Sequence, residues 1–246
     1  MTDPIEEEES YFAGAYWGAR KESSEECAAR LEAFFRRIAH LDPAFARWFR
    51  QGKSRADALK HPIDATLVDL EKLIRRGKDR VVEELGYRVG AWNGATDDED
   101  GCSLKLTCGG SSPRVSNSCV LELPSRGPNA ARVLTEPVLR GLMKSMATAW
   151  EPDFAVVMSS THLRMLRDND PAEIWPGWLI YLSRHRGTVP PLPAPVSIES
   201  VEDKGTLIVL TRERFTASKS EHVTLAERVR ERLDREGLLK SLQVQS

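Results

Sequence analysis

A chain of 246 residues with 41% hydrophobic and 29% charged side chains is long enough to bury one large core or two modest ones, which excludes a disordered polypeptide. No run approaches the roughly twenty apolar residues that a bilayer span requires, so a membrane protein is excluded too. The net charge is only −2 but unevenly spread: the first ten residues carry Asp3, Glu6, Glu7, Glu8 and Glu9 with no base, while residues 30 to 80 hold thirteen Lys or Arg against seven acids. An acidic patch of that kind disfavours nucleic acid and favours a basic protein partner.

The amino terminus is acidic where a signal peptide needs a basic region followed by an apolar core, and the expected location is the cytoplasm. Tyr11 to Trp17 is rich in aromatic residues and broken by Gly14, the pattern of a half-buried strand. Ser23-Ser24-Glu25-Glu26 then has the form of a capping box, and Leu31, Phe34, Phe35 and Ile38 recur at helical spacing behind it. Asp42-Pro43 marks a stop and a second helical start with Phe45, Trp48 and Phe49 on one face, ending at Gly52. A further helix is expected from about Asp64 to Arg76, with Leu67, Leu70 and Ile74 inward and Gly77 as its stop.

Beyond residue 84 the period changes to two. Leu85 to Trp92, Cys102 to Cys108 and Ser118 to Leu123 read as three short strands of an antiparallel meander, and Asn93-Gly94 supplies a tight turn. Between the first two lies Thr96-Asp-Asp-Glu-Asp-Gly101, whose four acids cannot be buried without neutralising partners. A helix is expected over Asn129 to Trp150, either kinked by Pro137 or restarted there after a Thr135 cap. Phe154 to Met158 is a continuous apolar run, the sign of a strand buried on both faces, and Trp175 to Leu182 resumes strand character. The proline-rich segment from Val189 to Pro195 must be extended, strands follow near Val196 to Val201 and Thr206 to Leu210, and Val223, Ala226, Val229 and Leu233 mark a last helix. The fold class is therefore α+β, with one strand group near 84–123 and another near 154–210, each accompanied by helices. It is expected as a single domain over 1–246, with 1–127 and 128–246 as its two subregions if a division exists.

Chemistry is sparse. There is no phosphate-binding glycine loop, no nucleophile elbow and no H-E-x-x-H zinc motif. Cys27, Cys102, Cys108 and Cys119 form no C-x-x-C pair and the five histidines are scattered, so buried thiols are expected and neither a metal nor a cofactor. One enzymatic alternative survives: Asp153, Glu202 and Lys204 echo the acid, acid, lysine set with which metal-dependent nucleases activate water. Against it, Asp203-Lys204-Gly205 is turn sequence and would hold a metal ligand poorly. A non-enzymatic scaffold module is the third reading. The acids that add nothing obvious to a core, Glu6, Glu7, Glu8, Glu9, Asp97, Asp98, Glu99 and Asp100, are the expected partner-binding residues.

Many spaced segments carry a family likeness. Tyr11 to Ser23, Glu26-Cys-Ala28, Asp42 to Trp48, Leu85-Gly86, Trp92-Asn-Gly94, Asn117, Leu121 to Pro124, Trp150 to Asp153, Gly177 to Leu182 and Gly205 to Leu210 resemble the immunity protein 52 family of bacterial polymorphic toxin systems. The resemblance spans almost the whole chain. It implies a non-enzymatic α+β inhibitor that binds a cognate toxin encoded beside it, with no small-molecule substrate, nucleic acid or membrane as partner. It implies further that the toxin is a restriction-endonuclease-fold DNase delivered by a contact-dependent or type VI secretion route, blocked at its active site or substrate groove.

Overall fold

Ser23 organises the first helix as its sequence predicts. Its hydroxyl accepts the Glu26 N–H at 3.1 Å, and the Glu26 carboxylate accepts the Ser23 N–H at 2.7 Å, so two amides without helical partners are satisfied at once. In the computed structural model, which describes residues 9–169 and 174–240, this helix, α1 (Ser24–Ile38), follows strand β1 (Tyr11–Trp17). It buries Cys27, Leu31, Phe34, Phe35 and Ile38.

The expected helix after Asp42 is not there. Asp42 accepts the Ala44 N–H at 2.8 Å and starts only one 3-10 turn, Pro43–Phe45, after which the chain becomes the short strand β2 (Phe49–Arg50). Phe49 and Arg50 pair with Trp92 and Ala91, so an edge position in the sheet overrides the helical spacing of Phe45, Trp48 and Phe49. Helices α2 (Arg55–Ala58) and α3 (Leu67–Arg76) follow, α3 capped by Thr66. Strands β3 (Tyr87–Trp92), β4 (Ser103–Cys108) and β5 (Asn117–Glu122) form the expected antiparallel meander. The long helix divides as one of its two readings required: α4 (Gly127–Val133) stops, and α5 (Glu136–Trp150) restarts with Pro137 in its first turn, where a missing N–H costs nothing.

The remaining elements are β6 (Phe154–Ser159), α6 (Ser160–Asn169), β7 (Leu179–Ser183), β8 (Ser197–Val201), β9 (Gly205–Val209) and α7 (Ser220–Arg235). All nine strands join one antiparallel sheet in the order β2-β3-β4-β5-β1-β6-β7-β9-β8. The two strand groups read from the sequence are thus the wings of a single sheet, and β1 joins them. Its odd residues Ala13, Ala15 and Trp17 turn towards α1 and α5, where the Trp17 and Trp150 rings stack at 5.4 Å. Its even residues Phe12, Gly14 and Tyr16 turn to the other face, and the Tyr16 ring lies so close over Gly14 that a Cβ there would sit 2.5 Å from the tyrosine hydroxyl.

All four cysteines are buried and unbridged. Burial drives the Cys119 thiol well above its ordinary pKa and pushes Cys102 up to about 12, which marks both as packing groups.

A candidate docking surface

The two wings of the sheet differ in how much of their surface is covered. On the α5 side the central strands β4, β5, β1, β6 and β7 are buried. On the second face, β6, β7 and β9 turn Val156, Met158, Ile180, Leu182 and Ile208 into the core as well. Helix α7 adds Leu225, Ala226, Val229 and Leu233 to the same apolar cluster. The chain enters α7 past Phe215, which stacks on His222 at 5.2 Å, and leaves it at Leu238, whose carbonyl accepts Arg186 Nη1–H at 2.8 Å.

Among the described residues no helix covers the second face of β3, β4, β5 and β1. Their second face presents Arg88 and Trp92 from β3, Ser103, Lys105 and Thr107 from β4, Ser118, Val120 and Glu122 from β5, and Phe12 and Tyr16 from β1, all exposed or half-buried. A groove of about 560 Å³ opens at one end of this face, where Phe12, Trp92 and Val120 meet Asp98, Glu99 and Glu122. Lys105 and Glu122 form a cross-strand ion pair at 2.5 Å, which holds the Glu122 carboxyl below the usual range.

The acids singled out in the sequence have work inside the fold. Glu6, Glu7 and Glu8 lie outside the described residues. Glu9 is a knot: its carboxylate accepts from the Ser159 hydroxyl, from the Ala217 N–H at 2.8 Å and from the Tyr11 hydroxyl at 2.9 Å, tying β1 to the start of α6 and the approach to α7. Asp97 accepts the Glu99 N–H at 3.0 Å and shapes the loop. Glu99 pairs with Arg126, and its carbonyl accepts the Ser125 N–H at 2.8 Å. Asp100 accepts the N–H groups of Asn129 at 2.7 Å and Ala130 at 3.3 Å, so it caps the first turn of α4 across the gap between two segments. Asp98 stands almost fully in solvent, 93% exposed, with Arg55 at 3.5 Å.

The three residues of the nuclease alternative have separate roles in the fold. Asp153 Oδ2 accepts the Gly18 N–H at 3.0 Å and fastens the end of β1, while Lys204 Nζ pairs with Glu151 Oε1 at 2.6 Å. Glu202 occupies a left-handed turn position, φ 49°, between β8 and β9. Among the described residues no group of three His, Cys, Asp or Glu is placed to hold a metal ion.

Sequence reasoning missed the uncovered face, although its signal was present. Ser103, Lys105 and Thr107 alternate with Leu104, Leu106 and Cys108, the mark of a strand with one wet face, whereas Phe154 to Met158 is apolar throughout.

The family model described as Immunity protein 52 matches residues 9–242. No curated protein matches the chain. Among solved structures it is similar to a Pseudomonas aeruginosa T6SS protein, with 10% identity and a TM-score of 0.56 over 97% of this chain and 85% of the other. At that identity the likeness speaks for the fold alone.

Proposed function

The chain belongs to the immunity protein 52 family, and on that premise we propose that it neutralises its cognate toxin by docking through the uncovered wing of the sheet. The observation that carries this reading is the second face of β3, β4, β5 and β1: four strands wide, faced with Phe12, Tyr16, Val120 and Trp92 among paired charges, and exposed or half-buried where the same face of β6 and β7 is buried. Aromatic anchors in a polar rim are what a protein interface needs. The charges are held in exposed pairs, Lys105 with Glu122 and Arg126 with Glu99, so exchanging one partner for a toxin side chain costs little.

The toxin in this reading is a nuclease with a restriction-endonuclease fold, and the inhibitor lies across its substrate groove. A nuclease must offer cations to phosphate, and the carboxylates of Asp98, Glu99 and Glu122 around the groove imitate that charge. Inhibition is by exclusion, without turnover, in the same cell that makes the toxin.

Two measurements test the reading together. Co-expression with the toxin encoded beside it must rescue growth, and the two must co-purify. Thr107→Arg with Val120→Arg, both on the uncovered face, should then weaken binding by about 100-fold, on the order of 3 kcal/mol, without a change in melting temperature. Full protection and unchanged affinity in that double variant would move the interface elsewhere.

A further inference from the structure

Within the docking groove one element of recognition is already rehearsed by the protein itself. Trp92 sits at the end of β3 with its ring turned to the uncovered face, and the Arg55 guanidinium lies over that ring, 5.2 Å from its centroid. The same guanidinium donates to the Ala95 carbonyl and faces Asp98 at 3.5 Å. A π face, a carbonyl and a carboxylate thus converge on one planar cation, which is how a protein surface recognises arginine in preference to lysine. Arg55 itself is weakly held. It belongs to α2, a single helical turn of four residues, its side chain is 41% exposed, and Asp98 opposite is almost fully in solvent. Beside this arrangement the groove of about 560 Å³ continues to Phe12, Glu99 and Glu122, room enough for the side chain of another molecule.

We propose that Trp92, Asp98 and the Ala95 carbonyl form an arginine seat, filled by Arg55 in the free inhibitor and by an arginine of the toxin in the complex. This rests on the reading that the uncovered wing meets the toxin, and it adds a chemical identity for the central contact. The charge balance supports an exchange. Each acid at the groove has one exposed cation of this chain beside it, so an incoming arginine replaces a like charge and no carboxylate is stranded. Arg55 therefore competes with the toxin, and removing it has an effect opposite in sign to the loss of an ordinary contact.

The test is binding of the catalytically disabled toxin to wild type, Arg55→Ala, Arg55→Gln and Trp92→Leu. Removing a competitor that occupies the seat most of the time should tighten binding by roughly 3- to 10-fold in both Arg55 variants, while Trp92→Leu weakens it. Weaker or unchanged binding in Arg55→Ala and Arg55→Gln overturns the seat, even where wild type binds the toxin and the uncovered wing stands as its interface. A second measurement is independent of the toxin. N-acetyl-arginine amide titrated into ¹⁵N-labelled Arg55→Ala should shift the Trp92 indole cross-peak saturably, with a smaller shift in wild type and little with the lysine analogue. Absence of a shift in Arg55→Ala, or equal shifts with both amides, overturns the proposal whatever the toxin does.

Discussion

Two wings of one sheet, joined at β1, are built to different specifications. In the wing of β6, β7 and β9 both faces are dry, and every residue of β6 and β7 is buried. In the wing of β3, β4 and β5 one face is dry and the other wet, so Val89, Leu104, Leu106, Cys119 and Leu121 are buried while their neighbours along the chain are not. The first wing is a scaffold that fixes the position of the second. The second leaves a polar and aromatic face of the sheet exposed or half-buried.

The sharpest way to break this comparison is to put the same charge on both wings. Ile208→Asp places an unpaired carboxylate in the fully buried second face of β9 and should cost more than about 4 kcal/mol in urea unfolding. Ser118→Asp, on the uncovered face, should stay within about 0.5 kcal/mol. Similar losses at the two sites would mean that the wings are covered alike.

Acid should weaken the core beside α6 through one buried histidine. His162, near the start of α6, is 1% exposed, its two ring nitrogens have no hydrogen-bond partner among the described residues, and its ring packs 5.0 Å from that of Phe215. Burial, opposed by the nearby Glu9 carboxylate, pushes its pKa down from 6.5 to about 4. Because the folded value lies below the unfolded one, the neutral ring favours the native state fully above pH 6.5. That contribution, up to about 3 kcal/mol, is lost as the pH falls from there towards 4. His162→Phe should remove most of this slope from a plot of stability against pH, and an unchanged slope would assign it to other groups.

Smaller effects belong to the seam between the acidic loop and α4. Asp100→Ala should cost about 1 kcal/mol through the lost cap, and Asp100→Asn less. Replacing all of Asp97, Asp98, Glu99 and Asp100 by Ser therefore disturbs the fold as well as any interface, whereas Asp98→Ser alone leaves stability unchanged and isolates the charge. Smallest of all, Lys105→Ala should change stability by about 0.5 kcal/mol or less, since its ion pair with Glu122 is open to solvent.

Much of the architecture was legible along the chain because it depends on neighbours in sequence. The capping box at Ser23, the meander between residues 87 and 122, the restart at Pro137 and the turn at Asp203 to Gly205 all rest on interactions within a few residues. Phe45, Trp48 and Phe49 misled for the complementary reason. Their helical spacing is real, but Phe49 gains more by pairing with Trp92, which lies more than forty residues away. The acidic residues misled in the same manner. Glu9 and Asp100 looked like spare surface charge because Ala217, Asn129 and Ala130, the amides they serve, are distant in sequence.

By itself the amino-acid order determined which side chains alternate and which run unbroken, and therefore which strands have one dry face and which have two. It also carried the family signature. Only the tertiary structure decided that β1 joins both groups into one sheet, that the second face is buried in one wing and exposed or half-buried in the other, and that a guanidinium rests on Trp92. The division follows from range. Periodicity and capping are short-range properties written into consecutive residues, whereas the cover of a sheet and the partner of a buried or half-buried charge are set by chain closure over long separations, where many sequences of the same pattern have different outcomes.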